Sequence, residues 1–320
     1  MIYFVAPPAD VHVSGGSLFN GQILRALQQV RYTYQYVSVQ RWEQRTFDQG
    51  DVIIIDSIYM PALDEMFMDS MLAQKVLLVH LLPSMLSQED ADSEKIFLKK
   101  FNRLIVNSKF TKDYCVQKMG FPGKIDILEP YIERSPYIGL ETVRNKILLV
   151  ATWQPVKQID LFLLLLAKHT LPPDLVIDIY GDASINQDYF QYCLAILERF
   201  PELKDHIKIH GVIDHKDLLR LYHQTKMLLD TSSFESYGMA VAEALAAGVM
   251  VITLGKGNIK NLLSLGSGIL CQNMDEIIHY MLIIHDQELI PRLNSNSSSE
   301  ARWQKFIEQV KLAVEYQLNG

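Results

Sequence analysis

Several things are scarce in this sequence, and each scarcity excludes something. Cysteine occurs three times in 320 residues, at Cys115, Cys193 and Cys271, with no CxxC pair. That pattern builds neither a disulfide framework nor a structural zinc site, and it fits a reducing cytoplasm. No uninterrupted apolar run reaches the roughly 18 residues that a membrane-spanning helix needs. The N-terminal stretch MIYFVAPPAD has no positive flank before its short apolar run, so it reads as a first strand rather than a secretory leader. Positive charge is in deficit: the net charge of −7 leaves no basic footprint for nucleic acid. No metal-binding signature stands out, so no metal is expected.

What remains is a chain that is 49% hydrophobic and 21% charged, a globular composition whose length suits two domains. Short apolar runs alternate with helical stretches throughout. Residues 2–6, 33–39, 52–56, 75–80, 104–106 and 125–128 read as strands. Residues 17–29 and 57–72 read as helices, and Ser108 is suited to cap a further one. Residues 129–144, with two prolines, read as a linker. The alternation then resets, with strands at 146–151, 176–180, 207–210, 226–230 and 249–253. Helices are expected at 187–199, 218–224, 239–247, 275–285 and 299–317, and 256–268 reads as loop-rich. This is the pattern of two α/β domains with parallel sheets.

The chain is organised around TSSFESYGMAVAEALAAG, residues 231–248. It lies between two apolar strands, and its Ala-, Leu- and Glu-rich part favours helix. Gly238 sits where that helix opens and Gly248 where it closes. The backbone N–H groups of Gly238, Met239 and Ala240 form a helix N-terminus, a natural place for a phosphate. Glu235 in the loop and Glu243 in the helix can accept hydrogen bonds from hydroxyls. Both belong to the segment that follows the carboxyl end of a strand, where open α/β sheets bind ligands. An anion held by backbone and flanked by carboxylates describes a sugar joined to a diphosphate.

The pattern Ser232-x-x-Glu235-x-Tyr237-Gly238, then Glu243-Ala244 and Gly248, resembles the E-x7-E signature of GT-B glycosyltransferases of the family 4 type. That signature reads roughly P-S-x-x-E-x-F-G-x-x-x-x-E-A-x-A-x-G; here Thr231 stands for the proline and Tyr237 for the phenylalanine. The resemblance covers nearly the whole chain and is most specific in its second half. It implies an α/β fold of GT-B type, two Rossmann-like domains with parallel sheets facing across a cleft. Residues 1–140 would form the acceptor-side domain and 141–298 the nucleotide-sugar-binding domain. Residues 299–320 would form a helix returning to the first domain.

The resemblance also implies an activity and its residues. A sugar passes from a nucleoside-diphosphate sugar of the UDP or GDP type to an acceptor, with retention of anomeric configuration and without a cofactor. Glu243 would bind the ribose, Glu235 the transferred sugar, and the amides from Gly238 to Ala240 the diphosphate, beside Tyr237. Gly211 and Val212 would meet the base and Gly181 would line the same edge. Lys157 matches a lysine that neutralises the leaving diphosphate. His80, at the end of its strand, matches a histidine that contacts the donor sugar. Gly15 and Gly16 let backbone approach the donor phosphates or the acceptor. The acceptor is left open: a glycan, a lipid-linked molecule or a small molecule. Residues 94–103, EKIFLKKFNR, could contact the inner face of a membrane peripherally, or be a solvated helix face with one buried side, which is the preferred reading.

Two departures carry weight. The family has an arginine five residues before its lysine, and here that position is Thr152. Lys256, Lys260 and Arg103 are candidates to replace it. The glutamate the family has near Asn261 is also missing. These departures keep open a second reading, a catalytically weak GT-B protein that binds a sugar nucleotide or serves as partner subunit of a glycosyltransferase.

Overall fold

Two six-stranded parallel sheets, seen in a computed structural model, account for the architecture. The structure describes residues 1–7, 14–38, 45–63, 65–87, 91–133, 146–264, 268–287 and 299–318. Chain contacts divide it into one unit of Met1–Tyr131 with Ser297–Gly320 and a second of Ile132–Asn296. Most of the 129–144 stretch read as a linker lies outside the described residues.

The first unit contains β1 (Ile2–Val5), β2 (Tyr34–Val37), β3 (Val52–Asp56), β4 (Gln74–Val79), β5 (Arg103–Val106) and β6 (Lys124–Ile127). They pair in parallel in the order β2-β1-β3-β4-β5-β6, which reverses direction beside β1. Its helices begin with α1 (Gly15–Gln29), α2 (Glu65–Ser70), α3 (Ala91–Leu98) and α4 (Lys109–Gln117). Helix α1 starts two residues before the expected position. Ser14 accepts a hydrogen bond from the Ser17 N–H at 3.1 Å, and Ser17 Oγ accepts one from the Ser14 N–H at 2.9 Å. This reciprocal cap outweighs the poor helix propensity of Gly15 and Gly16.

Two expected helices are corrected. Residues 57–72 form a 3-10 turn, Ser57–Ala62, and then α2. Pro61 lacks an N–H, which prevents one continuous helix. The 94–103 stretch is helical only to Leu98. The Asn102 N–H then donates to the Lys75 carbonyl at 2.8 Å, and Arg103 enters β5 as a buried residue. Its guanidinium pairs with Asp126, Lys100 pairs with Asp69 and Lys95 with Asp92. Three of the four basic side chains of the stretch are therefore engaged by carboxylates, and Arg103 is not available as a phosphate ligand.

The second unit contains β7 (Lys146–Val150), α5 (Ile159–Leu166), β8 (Ile177–Tyr180), α6 (Gln187–Arg199), β9 (Ile207–Gly211) and α7 (His215–Tyr222). It continues through β10 (Thr225–Asp230), α8 (Met239–Ala246), β11 (Met250–Thr253), α9 (Ile259–Leu263), β12 (Gly268–Leu270) and α10 (Met274–His285). Helix α9 and strand β12 lie in the stretch expected to be loop-rich. The order β12-β11-β10-β7-β8-β9 is the doubly wound Rossmann arrangement, and it reverses between β7 and β10. Side chains alternate across the sheet: Ile147 and Leu149 join the core under α5, α6 and α10, while Leu148 joins the core under α7 and α8.

The final helix, α11 (Ser299–Leu318), belongs to the first unit. Phe306, Ile307, Val310, Ala313 and Val314 share a core with Phe19, Ile23, Ala26 and Leu27 of α1. Trp303 donates from its indole N–H to Gln29 Oε1 at 2.9 Å. Among the described residues no helix is long and apolar enough to cross a membrane.

Candidate active site

In both sheets the carboxyl ends of the strands present the candidate residues. In the second unit, β7 leads to Thr152, β8 to Gly181, β9 ends at Gly211, and β10 ends at Asp230. Because all these strands are parallel, their carboxyl ends share one edge. The strand order reverses between β7 and β10, where the loops that follow part to opposite faces and leave a crevice.

The loops after β7 and β10 are stitched together at that point. The Ser233 N–H donates to the Val156 carbonyl at 2.7 Å, and Thr231 Oγ1 donates to the Lys157 carbonyl at 2.5 Å. Gln158 adopts a left-handed conformation, φ 50°, which turns the chain from a 3-10 turn into α5. Lys157 Nζ pairs with Glu235 Oε1, which also accepts from Ser232 Oγ at 2.8 Å. Asp230 lies below, accepting from Thr253 Oγ1 at 2.7 Å. Burial pushes the Lys157 ammonium down, but the charge and hydrogen bond of Glu235, with the charge of Asp230, more than offset it; its pKa is raised. Burial, then the Glu235 charge, raises the Asp230 carboxyl. The loop geometry thus holds a fixed cation between two carboxylates.

Past Glu235 the chain reaches α8. Gly238 has φ 91°, a left-handed conformation, and a Cβ there would stand 2.4 Å from Ile259 Cδ1. The left-handed backbone is the ground that favours glycine, since the tip of the Ile259 side chain can shift, and it lets Met239 and Ala240 begin the helix directly. Tyr237 turns its side chain into the apolar core with Val241 and Leu245. Glu243 follows on the helix and is 4% exposed. Its Oε1 accepts from His215 Nε2, 2.7 Å away, at the start of α7. The partner assignment follows from chemistry, since an ionised carboxylate can only accept.

The remaining residues of this unit lie along the same edge. A Cβ on Gly181 would fall 1.7 Å from the Ala151 carbonyl oxygen, so no other residue fits that approach of β8 to the chain after β7. The Gly181 N–H donates to the Gly211 carbonyl at 2.8 Å. Val212 is 53% exposed, beside the left-handed Gly211. Thr152 is half-buried at the end of β7, and Trp153 after it is fully buried, edge-on to Phe190. Of the candidates to replace the family arginine, Lys256 is exposed and precedes Gly257, whose backbone bridges to Glu235. Lys260 is exposed on α9.

Gly15, Gly16 and His80 belong to the first unit, where they come together. A Cβ on Gly16 would sit at van der Waals distance, 3.7 Å, from the His80 ring. His80 Nε2 lies 2.9 Å from Asn20 Oδ1 and 3.2 Å from Asp56 Oδ2, two acceptors, so Nε2 carries the hydrogen. Asn20 Nδ2 also donates to Asp56 at 2.7 Å. Burial raises the Asp56 pKa, but His80, the Ile58 N–H and Asn20 together pull it below the ordinary value. Sequence reasoning missed Asp56, Asn20, Asp230 and His215. Asp56 and Asp230 could have been found, because each is the last residue of a parallel strand; Asn20 and His215 carry no such mark. Among the described residues no cluster of His, Cys, Asp and Glu could hold a metal ion.

Comparison with known proteins gives this geometry a setting. Residues 135–300 match a family model described as glycosyl transferases group 1. Over 98% of this chain and 99% of its own, the structure of Alr3699/HepE from Anabaena in complex with UDP-glucose superposes with a TM-score of 0.70 at 16% identity. Sucrose-phosphate synthase from Thermosynechococcus elongatus superposes with a TM-score of 0.70 at 14% identity, over 99% of this chain and 96% of its own. A 77-residue segment is 32% identical to one subunit of the human phosphatidylinositol N-acetylglucosaminyltransferase, spanning 24% of this chain and 16% of that protein.

Proposed function

Because the chain belongs to the glycosyl transferases group 1 family, we propose that it is a retaining glycosyltransferase whose donor is a nucleoside-diphosphate sugar bound by the second unit. One observation carries this reading: the Lys157–Glu235 pair bridges the two loops where the strand order reverses, beside the N-terminus of α8. The amides of Gly238, Met239 and Ala240 and the ammonium of Lys157 would hold the diphosphate. Glu243 would accept hydrogen bonds from the ribose, and Glu235 from hydroxyls of the transferred sugar. Departure of the nucleoside diphosphate develops negative charge, and a cation already fixed in place stabilises it without reorganisation. The UDP-glucose held by the Anabaena neighbour supports a UDP donor. Retention rests on the likeness of Glu235 and Glu243 to the E-x7-E signature. Lys256 is the favoured substitute for the arginine absent at Thr152, because it adjoins the Gly257–Glu235 bridge.

Calorimetric titration with UDP, GDP and ADP, alongside Glu243→Ala, tests the donor site. Selective binding of one nucleotide that the variant loses is expected, followed by turnover with the matching sugar nucleotide and an α-configured product from an α-linked donor. Equal binding by wild type and variant would overturn the site. Binding without turnover would favour the weakly catalytic partner subunit, the reading that Thr152 supports.

A further inference from the structure

A carboxylate that is 4% exposed must be compensated to stay ionised. Glu243 is such a group, and the helix that carries it supplies no cation: Met239–Ala246 reads MAVAEALA. Its compensation comes from a different element, 28 residues earlier in the chain. His215 opens α7, with Asp214 capping that helix by accepting from the Lys216 N–H at 2.9 Å. The cap fixes where α7 begins, and hence where the imidazole stands. Its Nε2–H then holds Glu243 Oε1 at 2.7 Å. Among the described residues no other side chain hydrogen-bonds this carboxylate, which leaves Oε2 as an acceptor.

We infer that His215 is a positioning residue for donor binding: it holds the Glu243 carboxylate oriented, so that its other oxygen can accept from the hydroxyls of a ribose. The inference rests on the donor-site reading given above and adds the group that makes Glu243 serviceable. The surroundings of His215 point the same way. The groups that face it are Glu243 from α8, Glu133 from the segment ahead of the second sheet, and Asp214 from its own cap. The Tyr222 hydroxyl, at the far end of α7, is buried near Glu243 and stays neutral. The charges of Glu243, Glu133 and Asp214 are all negative. The hydrogen bond to Glu243 raises the His215 pKa most, burial opposes it, and the neighbouring carboxylates add to the rise. Protonated His215 therefore sets its charge against that of Glu243, and its removal leaves the buried carboxylate without its hydrogen-bond donor.

The consequence is read in the pH dependence of nucleotide affinity, measured by calorimetry with UDP, GDP and ADP from pH 5 to 8.5. Wild-type affinity should weaken as pH rises and His215, whose pKa is raised by its bond to Glu243, loses its proton. His215→Ala should bind about tenfold more weakly at pH 6, equivalent to about one pKa unit of interaction, and should lose this pH dependence. His215→Gln, an uncharged donor, should bind with intermediate affinity and without the pH dependence. A merely structural role for His215 predicts a lower Tm, or weaker binding at every pH with the dependence kept. Nucleotide binding by His215→Ala with unchanged affinity and pH dependence overturns the positioning role while leaving the donor site standing. Absence of binding to all three nucleotides in the wild-type protein overturns the donor-site reading and the role of His215 with it.

Discussion

Lys157 and Glu235 were legible in the sequence because each sits in a local pattern, the first in a turn after a strand and the second in a motif before a helix. What the sequence did not reveal is that they are partners, 78 residues apart. Shorter separations likewise hide His215 from Glu243, 28 residues apart, and His80 from Asp56: pairing of this kind is a product of strand order, which spacing does not encode. The pairing makes Lys157 a preformed cation, and Lys157→Ala should lower kcat for sugar transfer by about 10² or more, measured in a donor-saturated transfer assay; unchanged turnover would remove it from the site. Asp56 yields a prediction about pH. Its folded-state pKa is depressed below the ordinary 3.8, so the native state binds fewer protons than the unfolded chain as pH falls through that range. Its contribution is present at neutral pH and is lost below about pH 4. Thermal unfolding of Asp56→Asn followed from pH 6 to pH 2.5 should show a lower Tm at pH 6 but a shallower decline in acid than the wild type. Parallel curves would mean that His80 does not bias Asp56.

Elements were readable where local chemistry was sufficient. Helix α6 and strand β3 fall at the expected residues, since one begins after an Asn cap and the other is an unbroken run of Val and Ile. Strand β12 and helix α9 escaped notice because three and five residues are too few to show a period. Expectation failed between 57 and 72, where Pro61 interrupts a helical pattern, and at 99–103, where the hydrogen bond of Asn102 to Lys75 commits the chain to the sheet. The opening of α8 is the element on which most depends. Gly238→Ala meets both a left-handed backbone and the Ile259 side chain, so it should cost about 1–3 kcal/mol, read as a lower urea midpoint. Nucleotide affinity should fall with it, because the first amides of α8 would be displaced. A variant as stable and as tightly binding as wild type would show that the helix does not need its glycine.

At the scale of the whole molecule, two α/β halves were visible as two runs of alternating strand and helix, while the strand orders were not. An order such as β12-β11-β10-β7-β8-β9 follows from which edges the crossovers reach, a property of the folded sheet. The first unit is built from both ends of the described chain, because α11 completes the core that α1 begins. Phe306, 3% exposed and packed on Phe19, is a sensitive point of that core. Phe306→Ala should cost about 3–5 kcal/mol. Hydrogen exchange should show lost protection in α1 and β1 with β10 and β11 unaffected; loss spread evenly over both units would mean that they unfold as one.

That arrangement has a temporal side. A ribosome releases residues 1–131 first, then all of the second unit, and only afterwards the segment that becomes α11. Until then the apolar side of α1, with Phe19, Ile23 and Leu27, lacks its cover. The half whose strands emerge earlier is therefore the half that finishes maturing last. A nascent chain stalled before residue 299 would display that bare surface beside a complete second unit, a state suited to chaperone capture and prone to aggregation.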